Sequence, residues 1–203
     1  MPELMAGLAP RVVIAFLMGS IPFAVLSMMG SGIDIRQVGS GNPGFNNVLR
    51  VSKPRAIVCL IGDLGKGMAA ILLFYREGEP MLVAWLLAFA VMLGHCYSPF
   101  LRFDGGKGIA TSAGVMLVLY VPFALPCFGT YLLLRVIGKK MNWAESGALA
   151  SLSSWALFAV LILVFRGAGE AALAAIMFGI VTWRHRDNIQ RLANAAQAGR
   201  FAG

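Results

Sequence analysis

Residues 108–137 read GIATSAGVMLVLYVPFALPCFGTYLLLRVI, and this apolar stretch decides how many times the chain can cross a membrane. A single helix of 30 residues would be about 45 Å long, whereas the hydrocarbon core of a bilayer is about 30 Å thick. Pro122 and Pro126 stand near the middle, and a proline removes a helix hydrogen bond and clashes with the preceding turn. The stretch therefore predicts two short membrane spans that meet at residues 120–122.

Five more apolar runs are predicted to be membrane helices, although the last of them is short for a span. They are Leu8–Met29, Ala56–Tyr75, Met81–Tyr97, Trp143–Phe165 and Ala168–Trp183. Hydrophobic residues make up 59% of the chain and charged residues 13%, whereas a soluble domain carries about 25% charged residues. We therefore predict an all-α integral membrane protein with seven transmembrane helices. Residues 1–203 are expected to form one domain, with residues 190–203 as an interfacial helix or a frayed tail.

The positions of the basic residues favour seven spans over six. With seven spans and the N-terminus outside, 13 Lys and Arg residues fall on one side of the membrane and 3 on the other, whereas six spans give 9 against 7 at best. Basic residues collect on the cytoplasmic side, so the C-terminus is predicted to be cytoplasmic. The net charge of +8 fits orientation and attraction to anionic lipid headgroups. Nucleic-acid binding is not expected, because the cations are spread over short loops without interleaved exposed aromatics.

Residues 39–47 read GSGNPGFNN and form the first of two glycine-rich loops between apolar runs. The first six fit the G-x-G-x-x-G pattern, but a dinucleotide-binding fold needs a βαβ unit, and the neighbours here are membrane spans. Glycines allow positive φ and close backbone approach, so successive N–H groups can converge on an anion. The loop is a candidate phosphate site, and the alternative is an ordinary interhelical turn. Its side-chain donors are Ser40, Asn42, Asn46, Asn47 and, just beyond the loop, Arg50.

The second loop, residues 104–108, reads DGGKG and contains Lys107. A nucleotide-binding P-loop needs Ser or Thr directly after the lysine, and Gly108 stands there, so ATP hydrolysis is poorly supported. The loop precedes a predicted helix, whose N-terminus favours an anion. Lys107 is thus a candidate phosphate ligand, with a plain positive-inside anchor as the alternative. In the predicted topology both glycine-rich loops lie on the cytoplasmic face.

Asp63 and Lys66 are ionisable residues inside an apolar run, three positions apart and so on one helix face. Ionisable residues within the membrane are costly and mark functional sites by default. Two roles remain open for this pair: a structural ion pair that positions a loop cation, or direct chemistry. His95, at the end of the third predicted span, is interpreted as a structural histidine that holds a loop.

His185 lies in the segment WRHRDN, residues 183–188, which follows the last predicted span. Acyltransferases with a His-x-x-x-x-Asp motif need an aspartate five positions after the histidine, but the residues there are Phe100 after His95 and Gln190 after His185. The adjacent cations favour a neutral imidazole, which suits a general base or a substrate contact. His185 is therefore the better candidate site histidine.

Several motifs, taken in order along residues 19–192, resemble one bacterial family. They are GSIP at 19–22, GSGNPG at 39–44, GDLGKG at 62–67, GH at 94–95, SPF at 98–100, GGKGIAT at 105–111 and RHRDNI at 184–189. The chain is similar to the acyl-phosphate:glycerol-3-phosphate acyltransferases, the PlsY family. The resemblance implies a seven-span inner-membrane enzyme that transfers a fatty acyl group from acyl phosphate to the 1-hydroxyl of glycerol 3-phosphate, giving lysophosphatidic acid and phosphate.

The resemblance also implies roles for individual residues. The first loop would cradle a substrate phosphate through Ser40, Gly41, Asn42, Gly44, Asn46 and Asn47. Glycerol 3-phosphate or neighbouring anionic groups would be bound by Arg50, Lys107, Ser151, His185 and Asn188, of which Lys107, Ser151 and His185 would be catalytic. Asp63, Lys66 and His95 would be supporting residues. Two departures from the family pattern are Phe45-Asn46, where the family usually has Ala-Thr, and Asp187, where it usually has Glu.

The implied chemistry needs no cofactor and no metal, because acyl phosphate already carries a good leaving group. The expected partners are acyl phosphate, glycerol 3-phosphate and membrane lipids, and the protein is expected to be a monomer with its active site on the cytoplasmic side of a bacterial inner membrane. The competing hypothesis is a small-anion transporter, which predicts cations through the depth of the bilayer and often an inverted repeat. A purely structural membrane subunit would leave the polar loops unexplained.

Overall fold

A computed structural model describes residues 2–197, with side chains from Gly7 onward. These residues are mainly helical, with no β-strand among them, which confirms the predicted all-α class. The α-helices are α1 (Pro2–Ser20), α2 (Phe23–Met28), α3 (Phe45–Val51), α4 (Lys53–Phe74), α5 (Met81–Cys96), α6 (Ile109–Leu119), α7 (Val121–Lys140), α8 (Ser146–Arg166), α9 (Ala168–Arg184) and α10 (Arg186–Gln197). A short 3-10 helix, Pro99–Leu101, follows α5.

The chain divides into two compact units, residues 1–119 and residues 120–203. In the first unit α4 packs against α2, α3, α5 and α6, and α1 packs mainly against α5. In the second unit α8 packs between α7 and α9, and α10 follows α9. The expectation that residues 1–203 act as a single domain stays a prediction.

The long apolar stretch at 108–137 is two helices, as predicted. Helix α6 ends at Leu119, and α7 begins at Val121, with Pro122 in its first turn. Pro126 does not break the chain, contrary to the role predicted for it, since it lies inside α7. It stands in the second turn, where the proline removes one helix hydrogen bond, the one to the carbonyl of Pro122, and the helix continues to Lys140.

The first apolar run, predicted as one span over Leu8–Met29, is long and apolar enough for a span at Gly7–Met28, but its helix is interrupted, which was not predicted. Helix α1 ends at Ser20, and α2 begins at Phe23. Pro22 disfavours a helical backbone at the residue before it, so the chain leaves the helix at Ile21 and enters a new helix at Phe23. The break leaves the carbonyl of Ile21 outside the regular pattern of helix hydrogen bonds.

Five segments of the described residues are long and apolar enough to cross a membrane. They are Gly7–Met28, Lys53–Phe74, Met81–Leu101, Val121–Lys140 and Ser146–Arg166. Helix α6 is apolar but shorter, and α9 has 17 residues. The predicted interfacial tail is helical as far as Gln197, and residues 198–203 of that prediction lie outside the described residues.

Glycines let helix pairs in the first unit approach to backbone contact. A Cβ built on Gly67 of α4 would lie 2.0 Å from the carbonyl oxygen of Thr111 in α6, and one on Gly114 would lie 2.1 Å from a carbonyl oxygen of α4. Helices α1 and α5 meet in the same way at Gly19 and Gly94. Small residues at such contacts provide the van der Waals packing that holds membrane helices together.

We expect Gly67→Ala to lower the free energy of unfolding by about 1–3 kcal/mol, because the added methyl group forces α4 and α6 apart. Thermal unfolding of the purified protein in detergent measures the change. Gly65→Ala is the matched control, since a Cβ at Gly65 would meet no atom within 4 Å. Equal unfolding temperatures for the two variants would show that the α4–α6 contact is not tight.

Candidate functional site

Asn47 holds the first glycine-rich loop in shape. Its Oδ1 accepts a hydrogen bond from the N–H of Ser40 at 3.0 Å, and its Nδ2 donates to the carbonyls of Ile35 at 2.9 Å and Val38 at 3.0 Å. The side chain is 1% exposed. Both amide protons of Asn47 are used, so this residue fixes the backbone of the loop.

The loop bends at two glycines in the left-handed region, Gly39 with φ +61° and Gly41 with φ +69°. The N–H of Gly41 donates to Val38 O at 3.0 Å. Backbone N–H groups of Ser40 and Gly41, on which the phosphate hypothesis relies, are therefore bonded within the loop. The exposed Arg50 lies beside it, because a Cβ built on Gly39 would be 3.7 Å from Arg50 Nη1.

Arg36 stands just before the loop and is paired locally. Its side chain and its N–H donate to the carboxylate of Asp34, with Nη2 2.7 Å from Oδ2. These hydrogen bonds lower the pKa of Asp34 to about 2. Asp34 therefore stays ionised at neutral pH and offsets the charge of Arg36.

The remaining predicted residues of this loop lie around the start of α3. Gly44 is buried at its N-cap, and a Cβ there would be 2.9 Å from Asn42 Nδ2. Asn46 Oδ1 is buried without a hydrogen-bond partner among the described residues. Asn42 thus packs over Gly44, and Asn46 lies one position before the Asn47 that holds the loop.

The second loop rests on the C-terminal turn of α5. The N–H of Gly105 donates to Cys96 O at 3.1 Å, and the N–H of Gly106 donates to His95 O at 3.1 Å. A Cβ on Gly106 would lie 2.1 Å from His95 Nε2, so the imidazole lies directly against the loop. Lys107 is the next residue and is half-buried.

Asp63 is the centre of a buried polar cluster in the first unit. Its Oδ1 lies 2.7 Å from Lys66 Nζ and 3.3 Å from His95 Nδ1. Thr111 Oγ1 is 3.2 Å from the same ring nitrogen, and Lys66 donates to Ile21 O at 2.9 Å. Asp63 is 2% exposed and Lys66 4%. The cluster therefore joins α4, α5 and α6 to the break between α1 and α2.

In the second unit, His185 caps α9 and is 3% exposed. Its Nδ1 is 2.8 Å from the carbonyl oxygen of Val181. A carbonyl only accepts, so Nδ1 carries a proton, and in the neutral imidazole Nε2 then holds the lone pair. This is the tautomer that can take a proton at Nε2.

Asn188 and Ser151 are also buried in the second unit, at 7% and 2% exposure. Asn188 Nδ2 donates to Glu145 Oε2 at 2.5 Å, and the other oxygen of that carboxylate accepts a bond from Arg191. Ser151 donates its hydroxyl proton to Gly147 O at 2.8 Å. Because the hydroxyl proton is used in this bond, the oxygen of Ser151 can act toward another group only as a hydrogen-bond acceptor.

Two residues that take part in these arrangements were not predicted. Glu145 orients the amide of Asn188, and Thr111 contacts the ring of His95. Glu145 stands directly before the first residue of α8, and an acidic residue at the edge of an apolar run is the only sequence signal for it. Nothing in the sequence links Thr111 to a histidine 16 positions earlier.

The structure brings together two groups of predicted residues within residues 1–119. Ser40, Asn47 and Arg50 meet at the first loop, and the supporting residues meet the second loop at Gly106. Within residues 120–203, His185 and Asn188 lie three positions apart at the junction of α9 and α10, and Ser151 lies on α8.

Comparisons with known proteins point to one family. Residues 10–195 match the family described as glycerol-3-phosphate acyltransferase. The chain is 40% identical over 189 residues to a protein of that name from Dechloromonas aromatica, covering 91% of this chain and 92% of the relative. It is 36% identical over 182 residues to one from Azotobacter vinelandii, covering 89% and 93%.

Solved structures agree with the sequence comparison. The fold is similar to a crystal structure of PlsY (YgiH), an integral membrane glycerol 3-phosphate acyltransferase, in its glycerol 3-phosphate form. The TM-score is 0.78 at 28% identity, covering 96% of this chain and 94% of that one. The lysophosphatidic acid form of the same enzyme matches with a TM-score of 0.76.

We expect Asn47→Ala to loosen residues 35–41, because the loop loses three hydrogen bonds, each worth about 0.5–1.5 kcal/mol net. Hydrogen exchange followed by mass spectrometry should show faster exchange of the Ser40 amide. Asn194→Ala, at an exposed position of α10, is the control. Unchanged exchange at Ser40 would contradict the role given to Asn47.

Proposed function

The chain belongs to the glycerol-3-phosphate acyltransferase family, and we propose that it uses acyl phosphate as its donor and glycerol 3-phosphate as its acceptor. It is an integral membrane acyltransferase of phospholipid synthesis. The observation that carries the choice of substrates is the likeness, over nearly the whole chain, to one enzyme solved in both a glycerol 3-phosphate form and a lysophosphatidic acid form. The donor is inferred from the PlsY motifs.

The reaction is a direct acyl transfer. The 1-hydroxyl oxygen of glycerol 3-phosphate attacks the acyl carbonyl carbon, and a new ester bond forms. The bond between that carbon and the bridging phosphate oxygen breaks, and phosphate leaves with the electron pair. The proton of the hydroxyl passes to a base, and the products are lysophosphatidic acid and phosphate.

Charge neutralisation is the main work of the first unit. Both substrates carry phosphate, and like charges must be offset before the hydroxyl can reach the carbonyl carbon. Arg50 beside the first loop and Lys107 in the second supply positive charge, and Ser40 and Asn42 supply neutral donors. The contacts of Asn47 support a role in shaping the loop, with Gly41 and Gly44 providing its bends and close packing.

The proton transfer is assigned to His185. The bond from His185 Nδ1 to Val181 O leaves Nε2 as the proton acceptor. Asn188 is held by Glu145, and we assign its carbonyl oxygen to a hydroxyl of glycerol 3-phosphate. Ser151, whose own proton is engaged, would accept a hydrogen bond from the same substrate.

We propose a transmembrane topology of seven spans, with α1 and α2 together as the first span and α9 as the last. The N-terminus is outside and the C-terminus cytoplasmic, in a bacterial inner membrane, with both glycine-rich loops on the cytoplasmic side. The protein would act as a monomer and as one domain. The family match over residues 10–195, which extends across both units, supports the single domain.

Purified protein incubated with acyl phosphate and glycerol 3-phosphate is expected to produce lysophosphatidic acid and an equal amount of phosphate. Mass spectrometry of the lipid and a phosphate assay measure the two products. Acyl-CoA and acylated carrier protein serve as alternative donors in parallel reactions. Product formation from these thioesters but not from acyl phosphate would overturn the proposed donor.

We expect Arg50→Ala and Lys107→Ala each to raise the KM for glycerol 3-phosphate about ten-fold or more, since a hydrogen bond to a charged group is worth about 1.5–3 kcal/mol. Lys140→Ala, which removes the same charge from an exposed position at the end of α7, is the control. An unchanged KM in both site variants would refute the anion-binding role of these residues.

His185→Ala is expected to lower kcat about 100-fold or more at saturating substrates, as for the loss of a general base. Steady-state kinetics at saturating concentrations of both substrates provides the measurement. Near-normal turnover of the variant would show that His185 is not the base and would favour a substrate phosphate as the proton acceptor.

A further inference from the structure

The loop that carries Lys107 packs on the last turn of α5 and on the ring of His95. The consequence drawn from this packing rests on the proposed function, in which Lys107 binds a substrate phosphate. Gly105 and Gly106 donate to the carbonyls of Cys96 and His95, both at 3.1 Å. These two bonds tie the loop backbone to the last turn of α5. The imidazole of His95 fills the space in which a side chain at position 106 would lie, so any tilt of the ring moves the loop.

The ring of His95 is itself held by two polar side chains, Asp63 and Thr111. Its Nδ1 lies between Asp63 Oδ1, at 3.3 Å, and Thr111 Oγ1, at 3.2 Å. These two groups come from α4 and α6, which approach to backbone contact at Gly67. The ring therefore has partners on two helices whose spacing is itself constrained.

Lys66 extends the arrangement to the start of the chain. Its ammonium is 2.7 Å from Asp63 Oδ1 and donates to Ile21 O at 2.9 Å. It also lies 5.8 Å from the centre of the Phe23 ring. The carbonyl of Ile21, at the break between α1 and α2, thus accepts from Lys66 as well as from the N–H of Phe23, and the same ammonium neutralises Asp63.

We propose that Ile21 O, Lys66, Asp63 and His95 form a positioning relay that holds the Lys107 loop in its binding geometry. Asp63 and Lys66 are buried, at 2% and 4% exposure, and their charged groups contact each other, His95 and Ile21 O. They are paired with each other and with neighbouring elements, so they act through the loop. His95, whose ring also contacts Thr111, is the residue through which the relay reaches Gly106 and Lys107.

A double-mutant cycle with Lys107 tests the relay. His95→Gln removes the imidazole, Gly106→Ala pushes the loop away from the ring, and Thr111→Val keeps the shape of residue 111 but removes its hydroxyl. Each is made alone and together with Lys107→Met, and kcat and KM for both substrates are measured. Thermal unfolding in detergent is recorded for every variant.

We expect His95→Gln and Gly106→Ala each to lower kcat/KM about ten-fold, and Thr111→Val about two- to three-fold, in the wild-type background. In the Lys107→Met background, the same changes should have less than about a two-fold further effect, because residues that act through one another are not additive. If Lys107→Met turnover is too slow to follow, the same cycle is read from binding of glycerol 3-phosphate by calorimetry.

The relay would be overturned if the substitutions lowered kcat/KM by the same factor in the Lys107→Met background as in the wild-type background. It would also be overturned if all three single variants kept the wild-type kcat/KM. Gly129→Ala, where a Cβ meets no atom within 4 Å, controls for a glycine substitution in a membrane helix and should leave kinetics unchanged. Thr111→Val is the nearly isosteric variant that keeps the test decisive if another fails to fold. Failure of the proposed function is distinct, because the wild-type protein would then make no lysophosphatidic acid.

Discussion

The buried carboxylate of Asp63 is the constraint on which the first unit depends. A charge in a membrane interior must be paired, and breaking a buried pair by removing one partner typically costs about 3–5 kcal/mol. Asp63 finds its partners on its own helix, in Lys66, and on α5, in His95. Because these contacts need close approach, they fix the register of α4 against α5.

Glycine packing makes this register possible. Gly67 and Gly114 bring α4 and α6 to backbone contact, and Gly19 and Gly94 do the same for α1 and α5. Helices in a membrane lack a hydrophobic driving force between them, so such contacts supply much of the attraction. The same close spacing places Thr111 next to the His95 ring. Packing and loop geometry are therefore parts of one arrangement.

Local features of the sequence predicted much of the fold. The excessive length of the 108–137 stretch and Pro122 predicted the separation of α6 and α7, which is confirmed. The break at Ile21 was missed because the run from Leu8 to Met29 has the length of one span, and a single proline is often tolerated in membrane helices. The candidate site residues were chosen from the same motifs, but their contacts were not predictable. The hydrogen bonds between Asn47 and Ser40 and between Glu145 and Asn188 are examples. The residues of the second pair are 43 positions apart in the chain.

The sequence by itself determined the helical membrane class, the two glycine-rich loops and the residue types available for binding phosphate. These follow from apolar run length, glycine and charge, which are properties of neighbouring residues. Only the tertiary structure decided that Asn47 shapes a loop, that Nδ1 of His185 lies against Val181 O, and that Asp63 contacts the His95 ring against which the second loop packs. Those outcomes depend on distances of about 3 Å between groups far apart in the chain, where a hydrogen bond either forms or does not.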